Sequence, residues 1–176
     1  MAITVKKPVV RGFITSHYGD ARADHIHQGI DIATREGEPV YAIAAGTVYE
    51  TYPNGTLDRY GNVIVLKHAE NSYSLYAHLA EILVSKNQAI ADGQLIAKVG
   101  RTAGTRADPS ITVDGAHLHL EMLTRWPPAA RYADRLDPER ILKAQNLLRG
   151  NSISTPIKVS GLAFILAAAA ALQSLR

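Results

Sequence analysis

His117-Leu118-His119-Leu120-Glu121-Met122-Leu123 sets ionisable side chains against apolar ones, residue by residue, over its first six positions. In an extended backbone successive side chains point to opposite faces. Leu118 and Leu120 therefore face a core while His117 and His119 face a cleft, and Glu121 joins the histidines if the strand continues regularly. Outward from this strand, the chain back to Ile3 is a series of short apolar runs separated by Gly, Pro, Asn and Asp. The runs cover residues 40–45, 46–49, 62–67, 72–77, 95–99 and 117–123. Pro53-Asn54-Gly55 and Asp92-Gly93 are turn signals between such runs. The pattern predicts a mainly β fold, a largely antiparallel sheet in which strands outnumber helices.

Beyond the sheet, Asp137-Pro138-Glu139 places a capping Asp before a first-turn proline, and Ile141, Leu142, Leu147 and Leu148 follow at helical spacings. A short C-terminal helix is expected over 138–148. The polar stretch 150–156 reads as a linker, and 157–176 as an apolar tail helix with an unbroken apolar run from 162 to 172. That run spans about 16 Å as a helix, roughly half of a bilayer core. Counting 157–175, with Lys158 and Arg176 reaching for the headgroups, brings it near spanning length. Membrane anchoring is preferred here over docking on the domain or on a partner.

With 176 residues the chain is sized for one catalytic domain, expected at 1–149 with its core at 11–123. It has no cysteine, which excludes disulfides, thiolate nucleophiles and Cys-based zinc sites, so any metal must use His and carboxylate ligands. Nineteen scattered Lys and Arg give a net charge of +3. Such weak basicity is compatible with cell wall, membrane surface or nucleic acid, and no nucleic-acid partner is expected. The first ten residues have two lysines but no apolar h-region, so no secretory signal peptide is expected.

Of the seven histidines, four fall in informative positions. His27-Gln28-Gly29-Ile30-Asp31 sets an imidazole and a carboxylate four residues apart, on one face if the backbone is extended. Two His and one carboxylate form a ligand set of catalytic zinc, which leaves a fourth position open, whereas a structural site calls for four closed ligands.

These blocks resemble the lysostaphin-type (LytM-like) zinc metallopeptidases. The similarity runs through residues 12–19, the His-x-Gly-x-Asp block at 27–33, residues 60–65, Leu75-Tyr76-Ala77-His78-Leu79 and the His-x-His block at 117–121. It implies one zinc ion per chain held by His27, Asp31 and His119. His78 and His117 then handle protons or stabilise the developing oxyanion beside the activated water. Glu121 is a candidate support behind the ligands, and Tyr76, two residues from His78, a candidate substrate contact. His17, His25 and His68 are read as surface or loop residues. Residues 106–116 lengthen the approach to the His-x-His block and are expected to form a loop beside the site.

The resemblance implies an endopeptidase cutting peptidoglycan stem peptides or cross-bridges, in the periplasm or cell wall or as a virion-associated or phage lysis enzyme. The alternative is a non-enzymatic wall-binding or amidase-activating module of the same fold. A lipoyl-type carrier would need a lysine at a hairpin tip, whereas Lys67 and Lys98 lie within strand-like runs.

Overall fold

The computed structural model describes residues 5–128 and 134–144. Within them lie strands β1 (Phe13–Ser16), β2 (Ile30–Ala33), β3 (Pro39–Tyr41), β4 (Gly46–Tyr52), β5 (Asn62–Lys67), β6 (Tyr73–Ile82), β7 (Ala89–Ile90), β8 (Leu95–Val99), β9 (His117–Leu123) and β10 (Arg135–Leu136), then helix α1 (Pro138–Ala144). All pairings are antiparallel, in the order β1-β2-β9-β6-β5-β4-β7, with β10 on β9 and β8 joining β3 to β6.

Three expected runs, 62–67, 95–99 and 117–123, appear with those bounds. The run at 40–45 shortens to β3, whose residues before the bend pair with β8. The run at 72–77 instead extends through Ile82, because β6 has a partner for both of its halves. Residues 73–77 pair with β9 and residues 79–82 with β8. The change of partner falls at His78, which has φ +60°.

Alternation sorts the side chains into two apolar clusters. Leu118, Leu120 and Met122 of β9 join Ile30, Ile64, Leu66 and Tyr76 in the larger one. Val63, Val65, Leu75, Ala77 and Leu123 form the smaller one on the opposite side. The continuous run in β5 thus serves both faces, as a strand buried on two sides requires. The turn signals act as expected. Gly55 takes φ +85° with Thr56 N–H donating to Pro53 O at 3.0 Å, and Gly93 takes φ +69° with Gln94 N–H donating to Ala91 O at 3.2 Å.

Asp137 Oδ1 accepts from the backbone N–H of Glu139 at 2.9 Å and of Arg140 at 3.3 Å, capping α1. The rest of the expected helix to Leu148, the linker and the apolar tail helix lie outside the described residues. Among the described residues no helix is long and apolar enough to cross a membrane.

Candidate metal centre

The sheet order brings the two histidine-bearing segments together. β2 pairs with β9 so that Asp31 stands opposite His119. His27 reaches the same place differently from the extended-backbone expectation. It precedes the strand, in a tight loop closed by Gly19 N–H to His27 O at 3.0 Å and His27 N–H to Asp20 O at 2.8 Å. Gly29 permits this approach, since a Cβ there would lie 2.3 Å from Leu120 O.

Three donor atoms converge. His119 Nδ1 lies 2.8 Å from Asp31 Oδ1, His27 Nε2 lies 3.1 Å from the same oxygen, and the two ring nitrogens are 3.1 Å apart. The other nitrogen of each ring faces a group that can only accept. His27 Nδ1 donates to His17 O at 2.9 Å, and His119 Nε2 to Glu121 Oε1 at 3.2 Å. A neutral ring carries one proton, so each ring spends it there and turns a lone pair inward. Two imidazole lone pairs and a carboxylate oxygen then face one another, which is favourable only around positive charge.

Such charge can come as a second proton on His119. Burial opposes it, but Asp31 and Glu121 raise the His119 pKa to about 9. It can also come as a metal ion, and His27, Asp31 and His119 form a group able to hold one. The donor set fits zinc: a tetrahedron with metal–ligand distances of about 2.0–2.1 Å has edges of about 3.3–3.4 Å, close to the spacings here.

His78 and His117 stand beside this group with ring centroids 4.6 Å apart. Each donates through Nδ1 to a backbone carbonyl, Thr102 O at 2.8 Å and Gly115 O at 3.1 Å, and so turns Nε2 toward the cleft. Burial, followed by the charges of His119 and His117, pushes the His78 pKa down to about 3. Burial also lowers that of His117, against the opposing pull of Asp31. Both rings are therefore neutral proton acceptors at neutral pH.

The structure corrects the expectation for Tyr76, which is fully buried in the larger core rather than facing the substrate side. The irregularity at His78 breaks the alternation, so residues two apart do not share a face. Tyr76 Oη instead accepts from Ile43 N–H at 2.9 Å and sits 3.1 Å from Ser74 Oγ. His68, expected at the surface, is buried behind it, with Nε2 2.7 Å from Ser74 Oγ and Nδ1 donating to Ala45 O at 2.9 Å. That tautomer makes the serine hydroxyl donate to His68 and the tyrosine hydroxyl donate to Ser74. His17 is exposed and bonds Glu139 at 2.6 Å, as expected of a surface residue.

Glu121 keeps the regular alternation of β9 and lies behind His119, fully buried. Two of its partners escaped the sequence reading. Tyr60 Oη donates to Glu121 Oε1 at 2.7 Å, and Arg135 Nε to Oε2 at 2.9 Å. The block at 60–65 pointed toward Tyr60, whereas nothing near Arg135 signalled that β10 returns beside β9. The centre opens into a cleft of about 690 Å³ walled by Arg22, His25, Arg59, Tyr60, Val113 and Asp114, among others. Only the end of the 106–116 loop borders it. The remainder is tied to residues 101–105 through bonds such as Ala103 N–H to Ile111 O at 3.0 Å and Thr105 N–H to Asp108 O at 2.9 Å.

Residues 25–133 match peptidase family M23, and the chain belongs to that family. It is 36% identical over 123 residues to the uncharacterized lipoprotein YgeR of Escherichia coli, covering 70% of this chain and 42% of that protein. It is 35% identical over 102 residues to the peptidoglycan DD-endopeptidase ShyA of Vibrio cholerae, covering 58% and 21%. It is also 36% identical over 91 residues to the murein hydrolase activator NlpD of Salmonella typhimurium, covering 52% and 23%. The chain thus spans less than half of the length of these curated relatives.

Among solved structures, the antimicrobial peptidase lysostaphin of Staphylococcus simulans shares the fold at TM-score 0.65 and 23% identity, over 85% of this chain and 57% of that one. A zinc containing peptidase of Vibrio cholerae aligns at TM-score 0.59 and 26% identity, over 86% and 41%.

Proposed function

We propose that this chain is a zinc-dependent endopeptidase that hydrolyses peptide bonds in peptidoglycan stem peptides or cross-bridges, on the cell-wall side of the membrane. The observation that carries the reading is the convergence of His27 Nε2, Asp31 Oδ1 and His119 Nδ1 with both spare ring protons committed elsewhere. Those residues would hold the zinc ion, which when bound polarises a carbonyl and makes water a stronger acid. The remaining work falls to the protein. The Nε2 atoms of His78 and His117 accept a proton from the attacking water, and the imidazolium so formed can return it to the leaving amine. The carbonyls of Thr102 and Gly115 hold both rings in the orientation this transfer needs.

The activator reading is favoured by the likeness to a murein hydrolase activator. It requires neither metal nor proton transfer, so the two separate cleanly. The purified chain should contain about one zinc and release peptides from purified peptidoglycan. Asp31→Ala and His119→Ala should lose both properties, and His78→Ala should keep the metal while turnover falls by about 10²–10⁴-fold. A chain without zinc that stimulates a partner hydrolase, and does so equally well as Asp31→Ala, would instead establish the activator.

A further inference from the structure

Asp31 divides its two oxygens between different neighbours. Oδ1 faces the imidazoles of His27 and His119, whereas Oδ2 accepts from Arg22 Nη2 at 2.9 Å. The same nitrogen donates to Ser16 Oγ at 2.6 Å, and Ser16 Oγ donates to Asp20 Oδ2 at 3.2 Å. Arg22 thus sits between β1 and the start of β2. It rides on a small hairpin formed by the Ala21–Ile26 bridge and by Arg22 N–H donating to His25 O at 2.8 Å. The same hairpin leads into His27, so the loop that delivers one metal ligand also delivers the clamp on the second.

We propose that Arg22 is a positioning residue that commits Asp31 to the metal through Oδ1 alone. This rests on the reading of His27, Asp31 and His119 as a metal centre. A carboxylate can ligate through one oxygen or two, and a freely rotating Asp31 would bring Oδ2 toward the metal as well. That second oxygen would fill room the open catalytic site keeps for water and substrate. A guanidinium suits the task because both hydrogens of one nitrogen are used, one on the carboxylate and one on the serine, which fixes the side chain in place. Partners of ligands generally orient them in this way and alter metal affinity when lost.

The test uses the full chain stripped of metal and titrated with cobalt(II), whose visible absorption is strong in four-coordinate sites and weak in five- and six-coordinate ones. Arg22→Met keeps the aliphatic stem and removes every donor. The Arg22 side chain is 40% exposed, so this change leaves the core untouched. The expected result is a weaker visible band together with cobalt affinity reduced by about 10–100-fold, measured by chelator competition. Arg22→Lys, which restores a charged donor, should recover most of both.

The sign of the affinity change is decisive. If Arg22 acted only through its charge, its removal would leave a more negative site and tighten cobalt binding. Tighter or unchanged binding, or an unchanged band in Arg22→Met, overturns the proposal while leaving the metal centre standing. Failure of the unaltered chain to bind cobalt would overturn the metal centre itself.

Discussion

Replacing Glu121 with methionine should separate the stability of the fold from the orientation of His119. The Glu121 side chain is 0% exposed and holds Arg135, itself 8% exposed, together with Tyr60 and His119. Methionine is similar in length and apolar, so the loss is chiefly of acceptors. It removes the Glu121 carboxylate from the buried Arg135 guanidinium, and breaking a buried pair in this manner costs about 3–5 kcal/mol. For a domain of this size each kcal/mol shifts Tm by about 2–4 °C, so metal-free protein should melt on the order of 10 °C lower.

The informative variant is the double one, Glu121→Met with Arg135→Met. Replacing both members of a buried pair by apolar groups is often neutral or better, so most of the lost stability should return. Metal affinity should not return, because the Nε2–H of His119 still lacks its acceptor, and it should stay about 10–100-fold weaker. Thermal melting of the metal-free proteins and chelator competition measure the two quantities independently. The reasoning fails if Glu121→Met costs under about 1 kcal/mol, or if the double variant melts no higher than the single one.

Three further expectations concern groups around the centre. Gly29→Ala would press a Cβ against Leu120 O and part β2 from β9, so stability should drop by about 1–3 kcal/mol and metal binding should weaken with it. A variant with normal metal affinity would show that the close approach is dispensable. Tyr76→Phe leaves the buried Ile43 N–H without its acceptor and should cost about 1–3 kcal/mol in urea unfolding, with metal content unchanged because Tyr76 lies in the core. Burial holds the His68 pKa below the ordinary imidazole value, so the unfolded chain takes up that proton first as pH falls. Stability from this group is thus unaffected above the unfolded pKa and is lost progressively below it. Urea unfolding at two pH values on either side should show a larger loss for the unaltered protein than for His68→Gln; equal losses would remove His68 as a source of acid sensitivity.

The sheet was legible because burial on one or both faces writes itself as alternation or as a continuous apolar run, and β5 and β9 carry those patterns most clearly. The shared side of His119 and Glu121 was legible for a related reason, whereas the choice of His27, Asp31 and His119 as ligands came from the family resemblance. His119 and Glu121 lie on one regular strand, so their spacing alone placed them on one side of the sheet. Tyr76 shows where that logic ends. Counting by twos from His78 requires an unbroken strand, but β6 exchanges β9 for β8 at His78 itself. The positive φ that allows the exchange turns the imidazole to the face of Ala77 and His119 and leaves Tyr76 in the core. Arg22 and Arg135 were hidden for another reason: each reaches its partner only after the chain has turned back on itself, and neither has a local pattern that betrays that partner. The shared side of His119 and Glu121 is therefore a product of strand periodicity, whereas the convergence of His27, Asp31 and His119 and the approach of Arg22 and Arg135 are products of loop closure and strand pairing. Substitutions at Arg22 and Arg135 accordingly test how the ligands are held, whereas loss of metal in Asp31→Ala and His119→Ala tests whether the centre binds one at all.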